Sequence, residues 1–252
     1  MKKVLMAMAV LALLVIGPGA ATEPEGSALS AGAAKTRIEV PEGMPLAGYF
    51  NRFDAPTTGV HDPVYARALV LSCGEKRVAL VNADLLLSTS ELVTKLRERV
   101  SDLKLDFLVI TATHTHYSLG GYVDNPLAKL AVMGGYEPEA EKIVLSSMED
   151  ALRRADRTLQ PAMLGAAQGE SPGVAKNRRH KGGPTDPHMR VLGVWDKSGP
   201  LLAMIVNHAI HPTIMPSKTM KASGGCTGVA ESRLEEVHPG AVAMYMNAGL
   251  GD

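Results

Sequence analysis

Residues 77–116 read RVALVNADLLLSTSELVTKLRERVSDLKLDFLVITATHTH, and this stretch decides the fold. An apolar run over 77–81 is followed by Ser88-Thr-Ser-Glu91, a capping-box pattern that predicts a helix with leucine and valine at helical spacing. A nearly unbroken apolar run over 105–111 then predicts a second strand. A strand, a helix and a strand in this order predict a βαβ unit with parallel strands and a right-handed crossover.

Further elements extend outward from this unit. Apolar runs over 66–71 and 77–81 joined by Cys73-Gly-Glu-Lys76 predict a hairpin. A small or apolar stripe over 140–155 predicts the clearest helix. Three more strands are expected over 189–195, 201–206 and 241–246, with a turn over 197–200 and a helix from about 229 to 237. The fold class is therefore α/β: a layered domain with a mixed, partly parallel sheet flanked by helices, and incomplete at its C-terminus.

The first residues have the pattern of an export signal. Lys2 and Lys3 precede an apolar run over 4–16 and a small-residue segment over 17–21. This run is shorter than the roughly 20 residues that span a bilayer, so residues 1–21 are interpreted as a signal peptide. The protein is expected to be exported, to the periplasm or the medium. Residues 22–35 are expected to be flexible, and 36–252 to form the α/β domain.

Charge and cysteine usage narrow the function classes. Lys plus Arg number 26 and Asp plus Glu number 26, so no nucleic-acid partner is expected. Cys73 and Cys226 are equally compatible with a disulfide and with two thiols in an oxidising compartment. The sequence contains no Gly-x-Ser-x-Gly motif, P-loop or dinucleotide fingerprint.

Two short segments contain four of the eight histidines. His114 and His116 follow the second strand of the βαβ unit, and His208 and His211 follow a later strand. Residues i and i+2 of an extended chain face the same side, so such a pair can chelate one ion or can be ordinary surface or core histidines. Catalytic zinc needs ligands from separate segments, which makes His114 and His211 candidate metal ligands. For His208 we favour a histidine that donates to a backbone carbonyl.

Asp84 and a basic segment are further candidates for the site. Asp84, at the end of the first βαβ strand, is a candidate third ligand. A residue that supports the ligands without binding the metal, or one that starts a helix, is the favoured interpretation. The segment Lys176-Asn-Arg-Arg-His-Lys181 is either a solvated basic loop or the source of a guanidinium that binds a carboxylate or an oxyanion.

The chain resembles the neutral/alkaline ceramidase family, in order from about Gly48 to its last residue. The motifs that carry this resemblance are Thr113-His-Thr-His116 followed by Gly120-Gly121, Asn177-Arg178, Asp186-Pro187, Ala209-Ile-His-Pro-Thr213 and Gly251-Asp252.

The resemblance implies a zinc amidase that hydrolyses the N-acyl bond of ceramide. It implies that His114 and His211 are zinc ligands, and that His116 is a neighbouring proton-transfer or substrate-binding group. Asn177 and Arg178 would bind the polar end of the substrate, and Arg178 would also act in catalysis. A ceramide-like lipid is the expected partner, and peripheral contact with a membrane is compatible with such a substrate. No oligomeric state is predicted.

The sequence also departs from the family pattern. The chain stops before the segment that carries the family's serine nucleophile and its glutamate and tyrosine zinc ligands. Because two histidines fall short of the three protein ligands usual in catalytic zinc sites, weak or no amidase activity is expected, and enzyme status is left open. The alternatives are a metal-dependent hydrolase of another N-acyl or ester substrate and a non-catalytic periplasmic protein that binds a metal or a lipid.

Overall fold

A computed structural model of the protein describes residues 28–250. Within this range eight strands form one mixed sheet in the order β4-β3-β2-β1-β5-β6-β7-β8. The strands are β1 (Leu29–Ile38), β2 (Val64–Cys73), β3 (Lys76–Ala83), β4 (Phe107–Ala112), β5 (Gln160–Glu170), β6 (His188–Asp196), β7 (Leu201–His208) and β8 (Val242–Asn247). The helices are α1 (Ser90–Arg99), α2 (Pro126–Ala128, continued by a π-helical turn over Lys129–Met133), α3 (Pro138–Arg157) and α4 (Gly225–Val237), with short 3-10 turns at Phe50–Arg52 and Ser101–Leu103. The α/β class is confirmed, and the proposed signal peptide lies outside the described residues.

The predicted βαβ unit is present. Strands β3 and β4 pair in parallel, from Val78 opposite Phe107 to Ala83 opposite Ala112. Helix α1 lies between them in sequence, and its N-cap is Thr89, whose side chain accepts a hydrogen bond from the N–H of Leu92. The cap is therefore one residue later than the capping-box pattern indicated. The parallel arrangement brings the carboxyl ends of both strands to one edge of the sheet.

The other predicted elements also form. Strands β2 and β3 are an antiparallel hairpin, and β6 and β7 are antiparallel across the turn that the sequence indicated. Strand β8 pairs in parallel with β7, with α4 between them in sequence. Each half of the sheet, β1–β4 and β5–β8, therefore ends in a parallel pair.

Strand β1 corrects the later part of the flexible segment predicted over 22–35, whose residues 22–27 lie outside the described range. Residues 29–35 lie in β1, which pairs along its length with β2 and, at Ser30 and Ala31, with β5. The small residues are required by close packing, since a Cβ at Gly32 would lie 2.1 Å from the carbonyl oxygen of Ala155 in α3. The α/β domain, predicted over 36–252, thus includes residues 29–35 as well.

Strand β2 is buried on both faces. Ala66, Ala68 and Val70 belong to the apolar cluster under α1 and α3. Leu69 belongs to a second cluster on the opposite face, together with residues of β7 and β8 such as Met244. The sheet therefore curls so that its last strands return over its first half.

A buried ion cluster joins the two halves. We call Arg67, Asp84, Glu231 and Glu235 the Arg67 cluster. The guanidinium of Arg67 on β2 lies 3.0 Å from Asp84, 2.7 Å from Glu231 and 3.1 Å from Glu235, and the last two belong to α4. Oε1 atoms of Glu231 and Glu235 also accept hydrogen bonds from two N–H groups of β8. The cluster thus ties β2 to α4 and to the last strand of the sheet.

Both cysteines lie within residues 28–250. Cys73 lies exposed at the end of β2 and Cys226 lies in the first turn of α4, and no disulfide joins them. No helix in this range combines the length and the apolar character that crossing a membrane requires.

Candidate metal centre

Three histidine rings meet beyond the carboxyl ends of β4 and β7. His114 and His116 follow β4, and His211 follows β7. Nε2 of His116 lies 3.3 Å from Nε2 of His114 and 3.1 Å from Nε2 of His211. One ligand atom from each of the three lies within 4.8 Å of the others, so the group could hold a metal ion. We call these residues the histidine cluster.

Backbone carbonyls fix the tautomers of two of the rings. Nδ1 of His114 lies 2.7 Å from the carbonyl oxygen of Leu86, and Nδ1 of His116 lies 2.7 Å from that of Gly48. A carbonyl only accepts, so each Nδ1 carries a proton, and in the neutral imidazole Nε2 then keeps its lone pair. Lone pairs that face one another repel, and a cation between them removes that repulsion. Such carbonyl partners are the usual support of metal-binding histidines.

The surroundings of His116 keep its imidazole neutral. Burial, followed by the charge of His114, lowers the pKa of His116 to about 4, with smaller contributions from His211 and Arg52. The hydrogen bond to Gly48 acts in the opposite direction. A neutral imidazole is the form that binds a metal, so at pH 7 the ring is ready to act as a ligand.

Two residues at the cluster, His114 and Gly48, have a positive φ. His114 has φ 62°, in the left-handed region that residues with a Cβ rarely occupy. Gly48 has φ +117°, and a Cβ there would lie 2.5 Å from Cα of His116. The strain at His114 persists because neighbouring contacts enforce it, and such strain is concentrated at functional sites. A glycine adopts a positive φ without this cost. The backbone of His114 and the close approach of Gly48 to His116 together position the rings of His114 and His116.

Asp84 lies near the histidine cluster but is not part of it. Its carboxylate accepts hydrogen bonds from the N–H of Tyr65 at 2.8 Å, from Arg67 at 3.0 Å and from Oγ1 of Thr113 at 3.3 Å. The side chain is fully buried. Asp84 therefore supports the residue that precedes His114 and offers no ligand atom to the cluster.

Arg178 lies beside the histidine cluster. Its Nη2 is 3.4 Å from Nδ1 of His211, and the same Nδ1 is 3.3 Å from the carbonyl oxygen of Leu250. The Arg178 residue is exposed to solvent. The basic segment over 176–181 thus brings one guanidinium to the rim of the cluster, within reach of a ligand bound there.

Asn177 shapes the loop that carries Arg178. Its Oδ1 accepts hydrogen bonds from the N–H groups of Arg179 and His180, and its Nδ2 donates to the carbonyl of Pro184. This is the usual way in which an asparagine stabilises a turn. Both polar atoms of the Asn177 side chain are engaged within the loop, so the amide acts on the loop conformation.

His208 lies apart from the cluster and has hydroxyl partners. Its Nε2 is 2.8 Å from Oγ of Ser171, and its Nδ1 is 2.9 Å from the hydroxyl of Tyr245. The side chain is buried, which lowers its pKa. The expected backbone carbonyl partner was wrong for the side chain of His208, because two hydroxyl groups take that place.

Sequence reasoning missed the groups that orient the rings. The acceptors at Leu86 and Gly48 are main-chain carbonyls, which every residue type provides, so no side-chain pattern indicates them. The glycine itself is the one available signal, because a positive φ and a close approach to His116 both require it.

The chain matches known proteins over most of its length. Residues 39–252 match the model of the family described as "Neutral/alkaline non-lysosomal ceramidase, N-terminal". The neutral ceramidase of Mycobacterium tuberculosis is 27% identical over 218 residues, which are 78% of this chain and 34% of that protein. The neutral ceramidase of Pseudomonas aeruginosa is 26% identical over 211 residues, 75% of this chain and 31% of that protein. The chain therefore spans about a third of the length of these curated relatives.

Solved structures agree on the fold. A crystal structure of neutral ceramidase from Pseudomonas aeruginosa superposes with a TM-score of 0.82 at 24% identity. The match covers 90% of this chain and 39% of that one. A second structure, described as ceramidase complexed with C2, gives a TM-score of 0.80 at 24% identity.

Proposed function

The chain belongs to the neutral/alkaline non-lysosomal ceramidase family, and from this membership we propose that it is a zinc-dependent hydrolase. Its proposed reaction is hydrolysis of the N-acyl amide bond of ceramide or a related lipid amide. The histidine cluster supplies the metal ligands in this proposal, and the rim that carries Arg178 supplies the substrate contact.

One observation carries the metal assignment: the spacing of the three Nε2 atoms. Nitrogens bound to tetrahedral zinc at 2.0–2.1 Å lie about 3.3 Å apart. The two distances that involve His116 are 3.3 Å and 3.1 Å. Catalytic zinc sites usually have three protein ligands and a fourth position for water or substrate, and three histidines are one such set. His116 is therefore proposed as a third ligand in addition to His114 and His211.

The residues at the site suit amide hydrolysis. A zinc ion, when bound, supplies Lewis-acid polarisation of the amide carbonyl and favours deprotonation of an attacking water. Carbonyls of Leu86 and Gly48 keep the Nε2 atoms of His114 and His116 aimed at one point. Arg178 binds an oxygen of the substrate through its planar fork of N–H donors, a role that lysine does not reproduce.

The experiment is a substrate panel with the zinc-loaded protein. N-acyl sphingosines, simple N-acyl amines and an ester of the same acyl chain are compared, with release of the amine or alcohol as the readout. We expect weak cleavage of the N-acyl sphingosines, because the chain covers only about a third of its relatives, and a chelator to abolish it. His211→Ala is expected to abolish turnover, whereas His180→Ala, a matched histidine change in the exposed loop of Arg178, leaves it intact.

The panel separates the alternatives. Cleavage of simple amides or esters without cleavage of N-acyl sphingosine would show a different substrate class. Stoichiometric zinc without turnover of any substrate would favour the non-catalytic binding protein. Substitution of Arg178 by lysine tests the substrate contact, with a rise in KM expected.

Export is part of the same proposal. The basic, apolar and small-residue segments over 1–21 support a cleaved signal peptide. Fractionation of producing cells, with N-terminal sequencing of the mature protein, is expected to find a new N-terminus near Ala20 or Ala21 outside the cytoplasm. An intact Met1 in the cytoplasmic fraction would contradict export.

A further inference from the structure

Arg52 is a buried arginine held by carbonyls and not by carboxylates. Arg52 is 5% exposed to solvent. In the part of the chain that the structure describes, it forms no ion pair with a carboxylate. Its Nη1 donates to the carbonyl oxygens of Ala47 at 2.9 Å and His116 at 2.6 Å, and its Nε donates to that of Ser217 at 2.7 Å. Its Nη2 is buried without a hydrogen-bond partner. Burying a guanidinium with no carboxylate partner and one unpaired nitrogen lowers the stability of the fold. Arg52 therefore calls for an explanation other than stability.

Two tyrosines complete the surroundings of Arg52. Its guanidinium carbon lies 4.6 Å from the ring centroid of Tyr49 and 5.2 Å from that of Tyr117. The two hydroxyls are 2.8 Å apart, and Tyr117 donates to the carbonyl of Met215. Contacts of a guanidinium with aromatic faces are stabilising where water is excluded. The rings and carbonyls together fix one orientation of the Arg52 fork.

The contacts of Arg52 join the segments that hold the histidine cluster. Ala47 directly precedes Gly48, whose carbonyl accepts the hydrogen bond from Nδ1 of His116. His116 is itself a member of the cluster. Ser217 lies in the loop that follows His211. One planar group therefore holds the backbone of His116, the loop that orients its ring, and the loop beyond His211.

We propose that Arg52 is a positioning residue of the metal centre. Its fork fixes the backbone of His116 relative to the loop after His211, so that the Nε2 atoms of these two rings stay 3.1 Å apart at the metal centre. The effect on metal affinity rests on the proposed function, whereas the effect on the ring arrangement applies to the metal-free protein as well.

If Arg52 acts through its charge, its replacement should raise metal affinity; if it acts through its geometry, replacement should lower it. A cation close to a divalent ion repels it, so removing the charge alone would strengthen metal binding. Removing a group that supports a ligand weakens metal affinity, typically about 10–100-fold. The direction of the change therefore shows whether Arg52 acts on the metal site through its geometry or through its charge.

The first experiment compares Arg52→Met, Arg52→Lys and Leu152→Ala in the full chain. Arg52→Lys keeps the charge and loses the fork, and Leu152→Ala lowers stability at a buried position in α3. We expect both Arg52 variants to bind zinc about 10–100-fold more weakly in a chelator competition. We also expect their cobalt complexes to show altered visible absorption, while Leu152→Ala matches the parent. Unchanged or tighter zinc binding in Arg52→Met overturns the proposal, as does parental affinity in Arg52→Lys.

The second experiment needs no metal. Long-range proton–nitrogen NMR of the metal-free protein reports which ring nitrogen of each histidine carries the proton. In both Arg52 variants we expect His116 to lose its single Nδ1-protonated form, while the signals of His208 stay unchanged. If His116 keeps this form, the positioning role is wrong, whether or not the parent binds zinc. Absence of zinc binding by the parent, in contrast, overturns the proposed function alone.

Discussion

The first half of the sheet, β1–β4, and the second half, β5–β8, each supply histidines to one cluster but are built differently. Strand β2 in the first half is buried on both faces by α3 and by the returning strands β7 and β8. Strand β5 in the second half is largely exposed along 165–170, and Leu164 is 44% exposed. The first half therefore has the packing of a rigid scaffold, while the second half depends on contacts that tie it to the first.

Those contacts come from both backbone and side chains. Between the strands of the two halves, backbone pairing is confined to Ser30 and Ala31 of β1 opposite Pro161 and Gln160 of β5. Outside the strands, Val60 pairs with Ala222. The Arg67 cluster adds a buried polar link from β2 to α4 and β8. Because His211 belongs to the second half and His114 and His116 to the first, these links determine whether three rings can share one ion.

The largest expected effect comes from breaking the polar link between the halves. Arg67→Met leaves the carboxylates of Asp84, Glu231 and Glu235 buried without their common cation. We expect the free energy of unfolding to fall by about 3–5 kcal/mol in urea denaturation. Arg37→Met, a change at an exposed arginine of β1, is the control and should alter it by less than about 0.5 kcal/mol. A loss below about 1 kcal/mol in Arg67→Met would show that the link is dispensable.

Metal removal gives the next effect. At a zinc concentration about one hundred times the dissociation constant, the bound ion is expected to add about 2.7 kcal/mol to the free energy of unfolding. Because the ligands come from both halves, hydrogen exchange should slow in both β4 and β7 when zinc is added. Slowing limited to one half would contradict a shared ion, and His211→Ala should abolish the effect.

A smaller expected effect tests whether β1 is packed more tightly than β5. Gly32→Ala places a Cβ against the backbone of α3, at 2.1 Å from an oxygen, and should cost about 1–3 kcal/mol. Gly169→Ala in β5 meets no atom within 4 Å and should be neutral or stabilising by up to about 1 kcal/mol. Thermal unfolding of both variants checks this contrast. Equal losses would mean that β5 is as tightly packed as β1.

The smallest effect concerns pH. Burial alone would raise the pKa of Glu235, but the charges of Arg67 and Lys35 outweigh it and lower the pKa below its ordinary value. A carboxylate with a lowered pKa stabilises the fold above its unfolded pKa of about 4.3, and this contribution is lost as the pH falls further. Glu235→Gln should therefore flatten the decline of stability below about pH 4.3. An unchanged decline in acid would contradict this role.

Much of the fold could be predicted because most elements have regular patterns. The hairpin, the βαβ unit and α3 follow from apolar periodicity and capping residues. Strand β1 could not be predicted in this way, because Gly32 and its alanine neighbours are small so that α3 can approach, and small residues without periodicity are also typical of flexible segments. Strand β5 was missed as well, because its exposed residues 165–170 have no buried side to produce an alternation.

The site was predicted in part. His114 and His211 could be singled out because each follows a predicted strand end. The place of His116 in the cluster depends on the left-handed backbone of His114 and on the carbonyl of Gly48, which fix where each ring points. The contacts of Arg52 join three distant segments, and a sequence pattern contains no information on such pairing before the fold is known.

The central claim is that three imidazoles drawn from both halves hold one zinc ion, and zinc analysis of His116→Ala tests it most directly. The parent and His180→Ala, a histidine change outside the cluster, are measured alongside after dialysis against a chelator of known affinity. We expect one zinc per chain in the parent and in His180→Ala, with affinity at least about 100-fold lower in His116→Ala. Stoichiometric zinc of parental affinity in His116→Ala would contradict the account and leave His114 and His211 as the only histidine ligands.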